Sequence, residues 1–137
     1  MRLAAGLAAA LLTLPSHADP ARSVAEIVVA EGLAMRLDRA LHPDKPAPGF
    51  PEAAAHRSQI LQDVRAVLTA SDSETTKRFT SGTGPSGIKG EAYYTAWQVT
   101  SFWLAHGETL TEIARVKDAD APARVAEAID LMLKEQR

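Results

Sequence analysis

The sequence predicts an all-α fold, an irregular or orthogonal bundle of about five helices, on three observations. No stretch alternates apolar and polar residues with the period of two that a half-buried strand requires. Apolar residues instead recur every three or four positions, and the segments that carry them open on capping residues or proline. Between them lie clusters rich in proline or glycine, such as His42-Pro43-Asp44-Lys45-Pro46-Ala47-Pro48-Gly49, which end helices.

The 137 residues and 46% hydrophobic content suit one domain with a real core. A formal net charge of −2, with no run of Lys or Arg, lacks the electrostatic footprint of a nucleic-acid binder. The absence of cysteine removes disulfides, thiolate metal sites and cysteine nucleophiles, so a metal would need His, Asp or Glu ligands.

Residues 1–18 read as a secretory signal: Arg2, an apolar run Leu3–Leu14, and Ser16-His17-Ala18 as an A-x-A-like cleavage site before Asp19. That places the mature chain, residues 19–137, in the periplasm or outside the cell. Twelve residues fall short of the roughly 20 that span a bilayer, so no stable membrane anchor is expected. The alternative is that Leu3–Leu14 is an internal helix of a longer protein whose start lies upstream.

The first helix begins near Pro20, with Ser23 as cap, and runs to Leu41. At about 100° per residue, Val24, Ile27, Val28, Ala34 and Met35 fall within roughly 80° of one direction, with Glu31 near their middle and Asp38 returning to the stripe. Arg22, Glu26, Arg36 and Arg39 fall outside its centre. An unpaired carboxylate on a buried stripe costs several kcal/mol, so Glu31 is expected to be paired, protonated or bound to a cation.

A second helix is expected from Glu52 to Leu68, with Ala53, Ile60, Val64 and Val67 on one face, and a short capped turn from Ser71-Asp72-Ser73-Glu74 to Phe79. Thr80–Gly90 forms a loop with four glycines. The third helix, Glu91 to His106, is expected to turn Tyr93, Ala96, Trp97, Thr100, Trp103 and Leu104 inward. Thr109 or Thr111 opens a shorter helix through Val116, and Asp118–Pro122 introduces a last one with Val125, Ala128, Ile129 and Met132 facing inward.

Gly82-Thr83-Gly84-Pro85-Ser86-Gly87 matches G-x-G-x-x-G but follows no strand of a βαβ unit, and Lys89 stands one residue away from the P-loop position. Nucleotide binding is therefore not expected, and the loop is read as a shaped connection that brings Tyr93 to one side of the core. The four histidines are scattered, with no H-E-x-x-H, so no complete local zinc site exists. His56 projects towards the Ile60/Val64 face, where a core role is the simpler reading; His42 and His106 stand at helix ends, where a cationic imidazole complements the dipole. No serine or threonine nucleophile arrangement is recognisable.

Ser23–Ala34 resembles the E-G-x-A helix of gluzincin-type metallopeptidases, in particular a bacterial domain-of-unknown-function family of zinc-dependent proteases. Gly87-Ile88-Lys89-Gly90-Glu91-Ala92-Tyr93-Tyr94 through Val99, followed by His106-Gly107-Glu108-Thr109-Leu110, is similar to that family's late G-Y-x-x-G-Y helix and G-x-[ST]-L turn, with Ala92 and Ala96 replacing its glycines. The resemblance covers about residues 20–116. It implies that Glu31 occupies the third zinc-ligand position and that Tyr93 is a catalytic residue whose phenol stabilises an oxyanion near the metal. The family's H-E-x-x-H, which carries two ligands and the base, is missing, so no zinc is expected to be bound by this chain alone and no peptide hydrolysis from it as written.

A metallopeptidase-like helical C-terminal subdomain, catalytically incomplete, is thus the leading expectation. The runner-up is an exported, non-enzymatic all-α binding protein with a pocket on Tyr93–Leu104 that takes a peptide or protein partner. A third option is self-association through apolar surface left exposed by an incomplete fold.

Overall fold

The computed structural model describes residues 21–136, and the expected signal or internal helix lies outside the described residues. The described chain is all-helical, with seven α-helices where about five were expected. They are α1 (Val24–Leu41), α2 (Pro51–Ala54), α3 (Arg57–Arg65), α4 (Ser73–Phe79), α5 (Glu91–Ala105), α6 (Leu110–Ala114) and α7 (Ala121–Glu135), with a 3₁₀ turn at Asp118–Asp120. No helix of the described residues is long and apolar enough to cross a membrane.

Local chemistry explains where most of these helices start. Ser23 caps α1 in a full capping box: its hydroxyl accepts from the Glu26 amide at 3.1 Å, and the Glu26 carboxylate accepts from the Ser23 amide at 2.6 Å. Thr109 and Glu112 repeat the box at α6, and Asp72 caps α4 through the Thr75 amide. The charge-assisted bond at Asp72 holds its carboxyl below the usual carboxylate range. Replacing Ser23 by alanine is expected to cost about 1 kcal/mol, read as a shift in the urea midpoint at unchanged slope.

The single helix expected over 52–68 is a correction: it breaks at Ala55-His56, and α3 ends at Arg65 in further turns. His56 stands at the N-cap of α3 and is exposed, so its ring does not join the Ile60/Val64 face. His42 and His106 do close α1 and α5, with Nδ1 at 3.2 Å from the Asp38 carbonyl and 2.8 Å from the Phe102 carbonyl.

Helix α5 is the axis of the fold, packed by α1, α3 and α7, while α1 also touches α6 and α7. The core is built from Val24, Ala25 and Val28 of α1, Ile60, Leu61 and Val64 of α3, Ala92, Ala96, Val99 and Trp103 of α5, Ile113, and Val125, Ala128, Ile129 and Met132 of α7. All four residues expected to face inward on α7 do so.

Candidate functional site

Helix α1 has two apolar sides, and the expected stripe merged them. Its buried residues are Val24, Ala25, Val28, Val29 and Gly32, an arc of about 140° that packs on α5 and its neighbours. At Gly32 the two backbones come so close that a Cβ would stand 2.5 Å from Thr100 Cγ2 and 2.8 Å from the Ala96 carbonyl oxygen. The glycine of the E-G-x-A stretch is thus a packing requirement.

Ile27, Ala30, Ala34, Leu37 and Leu41 form a second stripe at spacings of three, four, three and four, within about 80° on the far side. Ile27 and Ala30 are half-buried and Ala34 is exposed; Leu37 is 45% and Leu41 75% exposed. Glu31 and Asp38 run along one rim of this outer stripe.

Glu31 is therefore half-buried at an edge, not sunk among buried side chains, and it makes no ion pair or hydrogen bond among the described residues. The need for a compensating partner disappears with the burial that implied it. Asp38 is exposed, 3.2 Å from His42 Nδ1 and 3.7 Å from Lys45 Nζ. Tyr93 is half-buried on the first turn of α5; a Cβ at Gly90 would stand 3.3 Å from its ring. Tyr93 likewise makes no hydrogen bond among the described residues, and no hydrogen bond joins it to Glu31. Among the described residues, no group of three or more His, Asp or Glu is placed to hold a metal.

The charged side chain that does enter the α1/α5 contact is Arg36, which the periodicity put outside. Its Nε donates to Thr100 Oγ1 at 3.2 Å, its Nη2 donates to the Trp97 carbonyl at 3.0 Å and to Ser101 Oγ, and the guanidinium stacks 3.4 Å from the Trp97 ring centre. Partial burial and then Arg39 lower its pKa. On α7, Arg124 lies 5.0 Å from the Trp103 ring and binds Glu108 at 2.5 Å. Each indole therefore carries an arginine. A cleft that includes an aromatic lies elsewhere, between Phe50, Pro51, Glu52, Ala53, Ile88 and Lys89, with a volume of about 240 Å³. Phe50 holds a left-handed backbone there, φ 45°, with its ring edge-to-face on Tyr94 at 5.6 Å.

A second polar constellation lies between α3 and α5. Arg57 Nε donates to Gln98 Oε1 at 3.3 Å, and elsewhere on the same two helices Asp63 acts on the Glu91 carboxyl as a like charge and hydrogen-bond partner. Glu91 is fully buried; its Oε2 accepts from the Ser86 amide at 3.0 Å and from the Ser86 hydroxyl at 2.7 Å. Arg57 Nη1, Asp63 Oδ2, Glu91 Oε1 and Thr95 Oγ1 are buried side-chain atoms of the described residues without a hydrogen-bond partner, and all lie on these two helices. Burial pushes the Glu91 carboxyl up, the Ser86 hydrogen bonds oppose that, and Asp63 adds to it.

Sequence reasoning passed over Asp63, Ser86 and Glu91. The available signal was the polar row Glu91, Thr95, Gln98, at i, i+4 and i+7 of an otherwise apolar helix. Comparison of the chain with protein-family models, characterised proteins and solved structures returns no match.

Proposed function

We propose that this chain is the helical C-terminal part of a gluzincin-like zinc metallopeptidase, with Glu31 as one zinc ligand and Tyr93 as an oxyanion-stabilising phenol. Two histidine ligands and the general base would come from a preceding H-E-x-x-H segment, so the chain by itself hydrolyses nothing. Bound zinc would supply an activated water and a Lewis acid.

The observation that carries the reading is the doubled apolar character of α1. A helix of a small domain needs one apolar side, and the outer stripe Ile27–Leu41 provides a second with a carboxylate on its rim, Glu31, that has no partner among the described residues. That is the arrangement expected of a helix covered by another piece of protein which also brings the remaining ligands.

The in-frame codons upstream of Met1 test it. They are expected to encode an H-E-x-x-H, and the longer product is expected to bind zinc and cleave unfolded protein. Glu31→Gln should then lower its zinc affinity at least about tenfold, the smallest effect seen when even a supporting residue of a metal site is lost. An in-frame stop codon before any such motif overturns the proposal.

The Phe50/Ile88 cleft favours a second reading, an exported interaction protein that grips one apolar side chain of a peptide partner. Its volume, about 240 Å³, is small for a drug-sized ligand but ample for such an anchor. A secreted form whose N-terminus is Asp19 would support this reading.

A further inference from the structure

We propose that Asp63 and Glu91 share a single proton, and that this proton latches the glycine-rich loop onto the start of α5. The loop from Gly82 to Gly90 is closed on itself: Gly84 N–H donates to the Ile88 carbonyl at 3.2 Å, Gly90 N–H to the Gly82 carbonyl at 3.1 Å, and Thr83 pairs with Lys89. The Glu91 carboxyl ties it to the core by receiving two hydrogen bonds from Ser86, beside the packing of Ile88 on the core. Gly84 lies so tightly against that carboxyl that any Cβ would overlap it.

Asp63 lies near enough to the Glu91 carboxyl to act on it both as a like charge and as a hydrogen-bond partner. Ionised carboxylates only accept hydrogen bonds, so buried Asp63 Oδ2 and Glu91 Oε1 cannot satisfy each other as two anions. One proton between them removes both the unmet acceptors and the like-charge repulsion. Glu91 is the group that carries it, its Oε1–H donating to Asp63 while Oε2 stays an acceptor for Ser86.

Among the described residues no cation relieves the pair. Arg57 on α3 directs its Nε to Gln98 and leaves its buried Nη1 without a hydrogen-bond partner, so it makes no ion pair with either carboxyl; Arg78 on α4 directs its Nε to the Thr83 carbonyl, and Lys89 in the loop is exposed. Base removes the proton to solvent and leaves two carboxylates at one buried point, and the loop is the lighter element that gives way.

The sign follows from the raised pKa of Glu91. The contribution of the latch is complete below the ordinary glutamate value of about 4.3 and is lost as pH rises through the raised one.

Amide hydrogen exchange of Ser86 and Gly90, corrected for the intrinsic pH dependence of exchange, reads the latch in the full chain. In the wild type the opening constant should rise by up to about tenfold per pH unit between the ordinary glutamate value, which holds in the open loop, and the raised value of the closed one, and level off above it. In Glu91→Gln the amide donates to Asp63 and the carbonyl still accepts from Ser86, so opening should stay low and flat from pH 5 to pH 9. Asp63→Asn removes the like charge but leaves the burial of Glu91, so the rise should end at a lower pH than in the wild type, and this variant carries the test if Glu91→Gln does not fold. A flat wild-type profile, a Glu91→Gln profile that rises as the wild type does, an Asp63→Asn rise that ends at the wild-type pH, or a Glu91→Gln loop that is already open at pH 5 overturns the proposal.

Discussion

Gly32→Ala is expected to destabilise the fold by about 2 kcal/mol, the net of two opposing terms. Helix propensity alone favours alanine over glycine by about 1 kcal/mol. Against it stands overpacking of a close contact, which costs about 3 kcal/mol where neighbours cannot move. They cannot move here. The added methyl would stand 2.8 Å from the Ala96 carbonyl oxygen, which belongs to the backbone of the central helix, and 2.5 Å from Thr100 Cγ2. Thr100 is buried, and its hydroxyl is committed to the Ala96 carbonyl at 2.8 Å and to Arg36 Nε at 3.2 Å, so rotating it away breaks two hydrogen bonds. Urea denaturation followed by far-ultraviolet circular dichroism measures the difference. An alanine variant as stable as the wild type would mean that α1 and α5 do not touch at Gly32. The consequence reaches Glu31, because the residue beside the crossing is held by it, and pushing α1 off α5 moves the carboxylate with it.

What was readable in the sequence was what is decided within a few residues. Ser23, Asp72 and Thr109 cap as their spacing to the next backbone amides requires, and α7 turns Val125, Ala128, Ile129 and Met132 inward because it has one apolar side. Helix α1 was harder for a physical reason. With apolar residues on two sides, a single best direction falls between them, and it put Glu31 at the centre of a stripe and Arg36 outside it. The reverse holds: Arg36 reaches into the α1/α5 contact, and Glu31 borders the outer face.

The polar contact between α3 and α5 was beyond local reasoning. Asp63 and Glu91 are 28 positions apart, and nothing near either one announces that a carboxyl at the first turn of a helix is fully buried. A charge in the first turn normally faces water and the helix dipole, which favours its ionised form. Burial together with an acidic neighbour works against that preference here. The break at Ala55-His56 was hidden in a similar way, since neither residue is a helix breaker and the turn is set by how α2 and α3 dock.

Trp103→Ala is expected to be among the most damaging single changes, at about 3–5 kcal/mol, the range for removing a buried large aromatic. Trp103 is 3% exposed within the core of α5, and its loss also strips Arg124 of the ring it covers. Against a total stability of about 5–15 kcal/mol, such a loss leaves a sizeable unfolded fraction at 37 °C. Trp97 supplies the control. Six positions earlier on the same helix, it points about 120° away from Trp103, is half-buried, and lies under Arg36. Trp97→Ala removes a cation–π contact worth about 1 kcal/mol at a partly exposed site, together with a modest apolar area. The sequence pattern grouped both indoles on one inner face and would make the two variants alike. The structure separates them, and urea midpoints of the two variants measured side by side decide it: a clear excess for Trp103→Ala fixes the face of α5 that builds the core, while equal losses would require α5 to be rotated towards α1.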